Sequence, residues 1–310
     1  MMPKISIIVP VFNAEKYLER CLDSILKSLK GISGEILAVD NGSTDGSLSI
    51  LEKYERKFPK LMRVLHCNTH GAGAARNYGV SKARGEYFWF IDADDEIAEG
   101  AVEKLMKEAS KIKADLVMLG MKKIFPDGRE VVLSAVDPSS RDYKSRFVRY
   151  GMGPTQFLIK RGWWVENGFS FRETGMHEDV ELMSSLILYT DKYACVNEVL
   201  YYYYQNKGSV IHKEKWDKGY LDIFRALRGY YQRFLDLGVL EEFHDEVEWY
   251  FIWNLLIDSA KDFAKFPEGK PGFSRSREML KKYFPKWRKN RFLKEKPLRL
   301  KVRVRLNYYK

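Results

Sequence analysis

Three aspartates that follow one apolar stretch could together bind a divalent cation. Residues 87–91 have the composition of a buried strand, and Asp92-Ala93-Asp94-Asp95 follows directly. Such a strand places the acids at the carboxyl edge of a sheet, where open α/β sheets bind ligands. Carboxylates this close repel one another unless a cation lies among them, and Mg²⁺ and Mn²⁺ prefer oxygen ligands. The simpler interpretation is that Asp94 and Asp95 cap a helix that begins near Glu99.

Alternating strand and helix patterns precede these acids and must position them. The predicted strands span residues 5–10, 35–40, 62–66 and 87–91, separated by helices at 14–30 and 47–58 and a third after the turn at Gly71. This alternation predicts an α/β fold with a mostly parallel sheet flanked by helices.

The pattern changes after residue 119. It predicts a hairpin around Pro126-Asp127-Gly128, a strand at 155–160, a helix at 178–189 and two short strands within 193–204. From residue 215 the pattern is helical. We therefore predict a catalytic domain at 1–212 and a helical C-terminal region at 213–310.

Composition excludes several classes of protein. No apolar run approaches the roughly 18 residues that span a bilayer. The cysteines Cys21, Cys67 and Cys195 lie far apart, as expected in a reducing cytosol. The net charge is +11, and residues 286–310 hold eleven Lys or Arg and one acid, which gives 11 − 1 = +10 in the tail. A basic tail can bind nucleic acid or an anionic membrane surface.

Within this tail, apolar residues alternate with cations. Positions 298, 300, 302, 304 and 306 hold Leu, Leu, Val, Val and Leu. They alternate with Arg or Lys at 299, 301, 303 and 305. The alternation predicts an extended segment with one apolar face and one basic face. Trp287 and Phe292 lie among further cations, a mixture common at lipid interfaces. The alternatives are an edge strand or a dimer contact, so a homodimer is left open.

Polar residues converge at one sheet edge from four successive strands. They are Asn13 after the first strand, Asp40 at the end of the second, Asn68 after the third, and Asp92 with Asp94 after the fourth. Such convergence predicts a binding crevice. The first strand is not followed by the Gly-x-Gly-x-x-Gly pattern, which disfavours a Rossmann dehydrogenase.

Five motifs occur in a fixed order along residues 3–210. They are Pro10-Val11-Phe12-Asn13, Asp40-Asn41-Gly42-Ser43-Thr44-Asp45, Asn68 with Ala75-Arg76-Asn77-Tyr78-Gly79, Asp92-Ala93-Asp94-Asp95, and His177-Glu178-Asp179. This set resembles that of the family 2 glycosyltransferases, inverting enzymes that use nucleotide-sugar donors on a GT-A fold. Asn41 departs from the family pattern, in which a second Asp is more usual.

The resemblance implies a role for each matching residue in binding the donor. Pro10 and Phe12 would line the nucleoside pocket. Asp40 would accept a hydrogen bond from the base, which in the family is usually uracil. Asn68 and Arg76 would close the side of the site where the base and the diphosphate bind. The predicted nucleotide-sugar site comprises Pro10, Phe12, Glu15, Asp40, Asn68, Arg76, Asp92, Ala93, Gln205 and Ser209. Without the resemblance, an Asx turn explains Asp40 equally well.

The resemblance also implies a metal and a base. Asp94 would hold Mn²⁺ or Mg²⁺ against the diphosphate, Asp92 would bind ribose or the metal, and His212 is a candidate third ligand, with a solvated or structural histidine as the alternative. A cation offsets the charge that builds on the leaving diphosphate. Asp179 is the predicted general base, with Glu178 second as a residue that orients the acceptor or the base. The alternative is an ordinary acid at a helix N-terminus.

We therefore predict an inverting, metal-dependent glycosyltransferase. It would move a sugar from a nucleotide-diphosphate donor, expected to be a UDP-sugar, to a hydroxyl of a glycan or lipid-linked acceptor. The reaction would belong to polysaccharide or glycoconjugate synthesis. The enzyme is expected to be cytoplasmic and peripheral at the inner face of the cell membrane. The alternatives are a sugar nucleotidyltransferase and a non-enzymatic nucleic-acid binder. The first usually has an early Gly-rich loop that this chain lacks, and the second leaves the converging acids unexplained. No nucleic-acid partner is expected.

Overall fold

A computed structural model of the protein describes residues 3–206 and 215–310. The chain divides into two compact units. The first unit comprises Met1–Arg141, Gly153–Thr174 and Thr190–Ser209, and the second comprises Asp142–Met152, Gly175–Tyr189 and Val210–Lys310. The predicted domain boundary at residue 212 falls outside the described residues and stays a prediction.

The described residues form nine strands and thirteen α-helices. The strands are β1 (Ile5–Val11), β2 (Gly34–Asp40), β3 (Met62–His66), β4 (Tyr87–Phe90), β5 (Glu96–Ile97), β6 (Leu116–Ile124), β7 (Glu130–Leu133), β8 (Phe157–Lys160) and β9 (Tyr193–Tyr204). The helices are α1 (Leu18–Ser28), α2 (Ser47–Lys57), α3 (Ala72–Lys82), α4 (Ala101–Ile112), α5 (Tyr143–Arg149), α6 (Arg161–Glu166), α7 (Glu178–Leu182), α8 (Ile223–Asp236), α9 (His244–Trp253), α10 (Ser259–Lys265), α11 (Lys270–Tyr283), α12 (Arg291–Lys294) and α13 (Leu298–Tyr309). Short 3-10 helices span Pro154–Gln156, Met183–Tyr189, Lys218–Asp222, Pro267–Gly269 and Trp287–Lys289, and a π-helical turn spans Asn254–Asp258.

All nine strands belong to one sheet in the first unit. Its order is β3-β2-β1-β4-β8-β6-β9-β5, with β7 paired to β6. The strands β3, β2, β1 and β4 are parallel neighbours, so their carboxyl ends meet at one edge. The apolar run of β4 is wholly buried, as expected of a strand covered on both faces. The predicted α/β fold is confirmed, and the order of its first four strands brings Phe12, Asp40, Asn68 and Asp92 to one edge.

The two short strands predicted within residues 193–204 are instead one strand, β9. It runs parallel to β6, and its register shifts on both sides of Gly120. A β-carbon at Gly120 would lie 2.5 Å from the carbonyl oxygen of Glu198, so the absence of a side chain there allows the two backbones to meet at the bulge. The predicted hairpin is correct, since Ile124 pairs with Glu130 across the turn.

The second unit contains no strand among its described residues. Its core is rich in aromatic side chains, including Tyr230 and Tyr250, whose ring centroids lie 4.3 Å apart. Trp249, Phe251 and Trp287 are also buried in this unit. The described chain has no helix that is both long and apolar enough to cross a membrane.

The extended tail predicted for residues 298–306 is wrong, because this segment lies within helix α13. The residues that α13 buries are Val304, Asn307 and Tyr308, which share one helical face. Asn307 donates from Nδ2 to the carbonyl oxygen of Leu256 at 2.9 Å, and Tyr308 packs on Trp287. These contacts require the helical period, and they outweigh the strand propensity of the alternating valines.

Candidate functional site

The turn after β4 carries the three predicted acids. The backbone N–H of Asp95 donates to the carbonyl oxygen of Asp92 at 3.1 Å, which closes the turn. Helix α4 begins at Ala101, six residues after Asp95, with Gly100 as its N-cap and no side-chain capping hydrogen bond. The interpretation that Asp94 and Asp95 cap this helix is therefore wrong.

Asp95 is fully buried, and both of its carboxylate oxygens are hydrogen-bonded to β9. Its Oδ2 accepts from the hydroxyl of Tyr201 at 2.6 Å, and its Oδ1 accepts from the backbone N–H of Tyr204 at 2.8 Å. Burial, together with Asp92 and Asp94, raises the pKa of Asp95 well above its ordinary value. This third acid of the motif therefore anchors the turn to β9.

Asp94 is partly buried and held from two sides. Its Oδ2 accepts from Nδ2 of Asn206 at 3.1 Å, and its carbonyl oxygen accepts from Nη2 of Arg20 at 2.8 Å. The Arg20 guanidinium lies over the Tyr204 ring, 3.9 Å from its centroid. Burial and then the charge of Asp92 raise the pKa of Asp94. A bound cation would relieve both effects, so these two carboxylates are chemically suited to hold Mn²⁺ or Mg²⁺.

Asp92 forms an ion pair with Arg76. Nη2 of Arg76 lies 3.1 Å from Oδ1 of Asp92, and the arginine is buried. Arg76 also lies over the ring of Phe171, 5.6 Å from its centroid. The sequence predicts Arg76 on the diphosphate side of the donor, and the structure brings it to the acid cluster from α3. Ala93, between the two acids, is buried in the core cluster of the sheet.

The predicted nucleoside residues lie at the carboxyl ends of β1, β2 and β3. Phe12 is 53% exposed, an unusual position for a large aromatic side chain, and Asn68 is exposed as well. Asp40 is buried, and its two oxygens accept from the backbone N–H groups of Gly42 and Ser43, each at 3.3 Å. The structure therefore contains the Asx turn, and the contact of Asp40 with a base stays a prediction. Pro10 lies half-buried near the end of β1.

The departure at Asn41 has a structural reason. The Asn41 Nδ2 group donates to the carbonyl oxygens of Thr69 at 2.7 Å and Cys67 at 3.3 Å, while Oδ1 accepts from the backbone N–H of Gly71 at 2.8 Å. This arrangement needs a donor and an acceptor on one side chain, which an ionised aspartate cannot supply. Asn41 thus ties the end of β2 to the segment that leads into α3.

The loop after β1 is tied to the loop after β2. Oδ1 of Asn13 accepts from the backbone N–H of Thr44 at 2.8 Å, and Oε2 of Glu15 accepts from the N–H of Gly46 at 2.6 Å. Asn13 has φ 51°, within the left-handed region that asparagine tolerates better than most residues. Glu15, predicted to bind the donor, thus has a structural contact in this loop.

A small cavity lies beside the end of β9. Its volume is about 130 Å³, and it is lined by Ile124, Phe125, Pro126, Tyr204, Gln205 and Asn206. Gln205 therefore lies next to Asn206, which binds Asp94. The two remaining predicted residues of this segment, Ser209 and His212, lie outside the described residues.

Glu178 and Asp179 begin α7 in the second unit. The preceding residue, His177, has φ 64°, and the N–H of Met176 donates to Oδ2 of Asp222 at 3.0 Å. At the other side, the Tyr250 hydroxyl donates to the carbonyl oxygen of Val180 at 3.2 Å. The backbone on both sides of the predicted base is thus held by side chains of the helical unit.

The two adjacent tryptophans of helix α6 are core residues. Trp163 and Trp164 are 7% and 2% exposed, and Trp164 packs edge-on against Phe88 with centroids 5.4 Å apart. By contrast, Tyr201, Asn206 and Arg20 contact the acid turn and were not predicted from the sequence. No local sequence pattern points to these contacts, because more than 100 residues separate Asp94 from Asn206 and more than 70 separate it from Arg20.

Comparison with known proteins identifies the family of the chain. The sequence profile described as Glycosyl transferase family 2 matches residues 6–168. The glycosyltransferase GlyG of Streptococcus pneumoniae is 30% identical over 72% of this chain and 79% of its own length. The uncharacterized glycosyltransferase EpsJ of Bacillus subtilis is 28% identical over 78% of this chain and 74% of its own length.

Solved structures share the fold. The crystal structure of Staphylococcus aureus TarS residues 1–349 in complex with UDP-GlcNAc is 21% identical, with a TM-score of 0.77 over 98% of this chain and 89% of that one. A mannosyltransferase from Pyrobaculum calidifontis, in complex with GDP-Man and Mn²⁺, is 15% identical with a TM-score of 0.58, over 100% of this chain and 88% of that one. At these identities the likeness establishes the GT-A fold.

Proposed function

We propose that this chain, which belongs to glycosyl transferase family 2, transfers a sugar from a UDP-sugar to a hydroxyl of a glycan or lipid-linked acceptor with inversion at the anomeric carbon. The observation that carries the proposal is the pair Asp92 and Asp94 at the carboxyl edge of the sheet, with Arg76 against Asp92 at 3.1 Å. The two acids would hold a divalent cation that offsets the charge of a diphosphate, and the buried Arg76 guanidinium adds positive charge at the same edge. Membership of glycosyl transferase family 2 disfavours the alternative function, a sugar nucleotidyltransferase.

In this proposal Asp94 and Asp92 hold Mn²⁺ or Mg²⁺, with His212 as a candidate third ligand. The metal supplies positive charge that stabilises the departing diphosphate. The raised pKa of Asp94 supports the assignment, because its causes, burial and the charge of Asp92, are those that a cation would relieve. Arg20 and Asn206 hold Asp94 in place from its carbonyl and carboxylate oxygens.

The nucleoside is proposed to lie against Phe12 and Pro10, with Asp40 and Asn68 at the base. The exposure of Phe12, 53%, supports this role, because an aromatic face open to solvent at a ligand-binding edge can stack on a base. Binding of UDP-GlcNAc and UDP by TarS supports a uridine nucleotide. The diphosphate is proposed to contact Arg76, Gln205 and Ser209.

Asp179 is proposed as the general base, with Glu178 beside it. As the acceptor oxygen attacks the anomeric carbon, the bond from that carbon to the diphosphate oxygen breaks, and the proton of the acceptor hydroxyl moves to the Asp179 carboxylate. The proposal rests on the motif His177-Glu178-Asp179. The products are the inverted glycoside and UDP.

The experiment that tests this function is UDP release from a panel of UDP-, GDP- and TDP-sugars, with Mn²⁺ and with EDTA. We expect turnover of a UDP-sugar with Mn²⁺ and its loss in EDTA. Full activity in EDTA would contradict the metal, and turnover of GDP- or TDP-sugars alone would contradict the uridine donor. Location at the inner face of the cell membrane is part of the proposal, supported by the basic tail. A homodimer stays a prediction.

A further inference from the structure

Helix α13 carries an exposed apolar stripe. Leu298 is 74% exposed, Val302 46%, Leu306 60% and Tyr309 71%. The steps between them are four, four and three residues, which place all four on one face of a helix. These four residues, here called the terminal stripe, form a continuous apolar surface along the whole helix.

Packing of the opposite face determines which way the terminal stripe points. Val304 is fully buried, Asn307 donates to the carbonyl oxygen of Leu256, and Tyr308 packs on Trp287 with ring centroids 5.1 Å apart. The helix is therefore anchored to the second unit by one face. The terminal stripe stays largely exposed, and its contact with a charged residue is the hydrogen bond from Nη2 of Arg288 to the Tyr309 hydroxyl at 3.1 Å.

Cations line both sides of the terminal stripe. At about 100° of rotation per residue, Arg299 and Arg303 lie along one side and Lys301 and Arg305 along the other. Residues 296–310 contain no acidic side chain. A row of apolar groups between two rows of cations is the arrangement of helices that lie in the plane of a membrane interface.

We infer that the terminal stripe docks on an anionic lipid surface. The apolar side chains would enter the boundary between headgroups and acyl chains, and the flanking cations would extend their charged ends to the headgroup phosphates. This inference rests on the proposed membrane location, and it names the surface that makes the contact. The contact would be made by a helix, not by the extended segment that was predicted from the sequence.

The cations that flank the terminal stripe favour an anionic lipid surface over a second copy of the chain and over a nucleic acid. A second copy of the chain would bring two pairs of cation rows together, which opposes pairing through this face. A nucleic acid would satisfy the cations and leave the terminal stripe in water. An anionic lipid surface satisfies both the cations and the apolar groups.

The test uses the full chain and point substitutions. Removal of residues 286–310 is unsuitable because it would also remove Trp287 and Val304 from the core. One variant carries Leu298→Ser and Leu306→Ser, and a second carries Arg299→Gln, Arg303→Gln and Arg305→Gln. The control for the first is Val131→Ser with Val132→Ser on strand β7, which are 37% and 55% exposed. The control for the second is Lys27→Gln, Lys30→Gln and Lys60→Gln, all exposed in the first unit.

Sedimentation with vesicles of phosphatidylglycerol and phosphatidylcholine measures docking, and pure phosphatidylcholine is the reference. We expect the wild type to bind the anionic vesicles selectively. The serine variant should bind about tenfold more weakly, and the glutamine variant weaker by on the order of a hundredfold. Both controls should bind like the wild type, and thermal melting should show that all variants fold.

Equal binding by the serine variant and the wild type would overturn the inference. So would a dimer that dissociates in the serine variant, which would assign the terminal stripe to a second copy. Nucleic-acid binding that only the glutamine variant loses, without vesicle binding, would also overturn it. UDP release is measured without vesicles on the same proteins, so loss of the proposed reaction is distinguished from loss of docking.

Discussion

The Tyr201 hydroxyl joins the first and third acids of the turn after β4. It donates to Oδ2 of Asp95 at 2.6 Å and accepts from the backbone N–H of Asp92 at 3.1 Å. One buried oxygen of β9 therefore binds both ends of the turn that presents Asp94. Asp92 and Asp94, the partly buried acids of this turn, are thus held in place by a fully buried residue.

Replacing Tyr201 by Phe should weaken metal and donor binding. The substitution keeps the ring but removes both hydrogen bonds, which leaves the Asp92 N–H and the Asp95 carboxyl without the phenol, at a cost of about 1–3 kcal/mol in unfolding free energy. The affinities for Mn²⁺ and UDP, measured by calorimetry, should fall together. The matched control is Tyr193→Phe, which removes the buried hydrogen bond from the same strand to the carbonyl oxygen of Val136. If both variants lose stability but keep equal affinities, Tyr201 is only structural.

Asn41→Asp should destabilise the protein, although Asp is the more usual residue of the motif. A carboxylate would face the carbonyl oxygens of Cys67 and Thr69 that now accept from the amide. Urea unfolding should show a loss of about 1–3 kcal/mol. Asn68→Asp, at an exposed position, is the control and should unfold like the wild type. An unchanged midpoint for Asn41→Asp would mean that the amide hydrogen bonds contribute little.

Asp94→Asn should stabilise the metal-free protein at neutral pH and abolish donor turnover. The pKa of Asp94 is raised in the folded state, so its ionised form is disfavoured by folding. Stability of the wild type relative to this variant should therefore fall as pH rises through and above the ordinary carboxyl range, and level off once Asp94 is ionised in both states. Melting curves in EDTA across pH measure the difference. A difference that does not change with pH would contradict the assigned cause.

Asp179→Asn should separate binding from chemistry. The amide keeps the shape and hydrogen bonding of the side chain but cannot accept the proton of the acceptor. Calorimetry should show normal affinity for the UDP-sugar, while transfer falls by about a hundredfold or more. Glu178→Gln is the companion variant and should lose less. If donor affinity falls in parallel with the rate of transfer, Asp179 is a binding residue and another group is the base.

The sequence alone was sufficient to locate the acid turn. A run of apolar residues that ends in Asp92 and Asp94 is a local signal, and the parallel order of β1 to β4 brings the ends of the strands together. Helix and strand patterns also gave β3 and the hairpin correctly. Each of these features depends on residues close together in the chain.

Only the tertiary structure decided which side chains support that turn and how the tail folds. Tyr201 lies on β9 and donates to Asp95, and Asn206 follows β9 and donates to Asp94. No local sequence pattern pairs positions so far apart. The alternation of residues 298–306 favoured an extended segment, but Val304, Asn307 and Tyr308 find their partners only on one face of a helix. Packing against the rest of the helical unit determined that this segment is a helix. A short segment with mixed propensities takes the conformation in which it buries the most apolar surface.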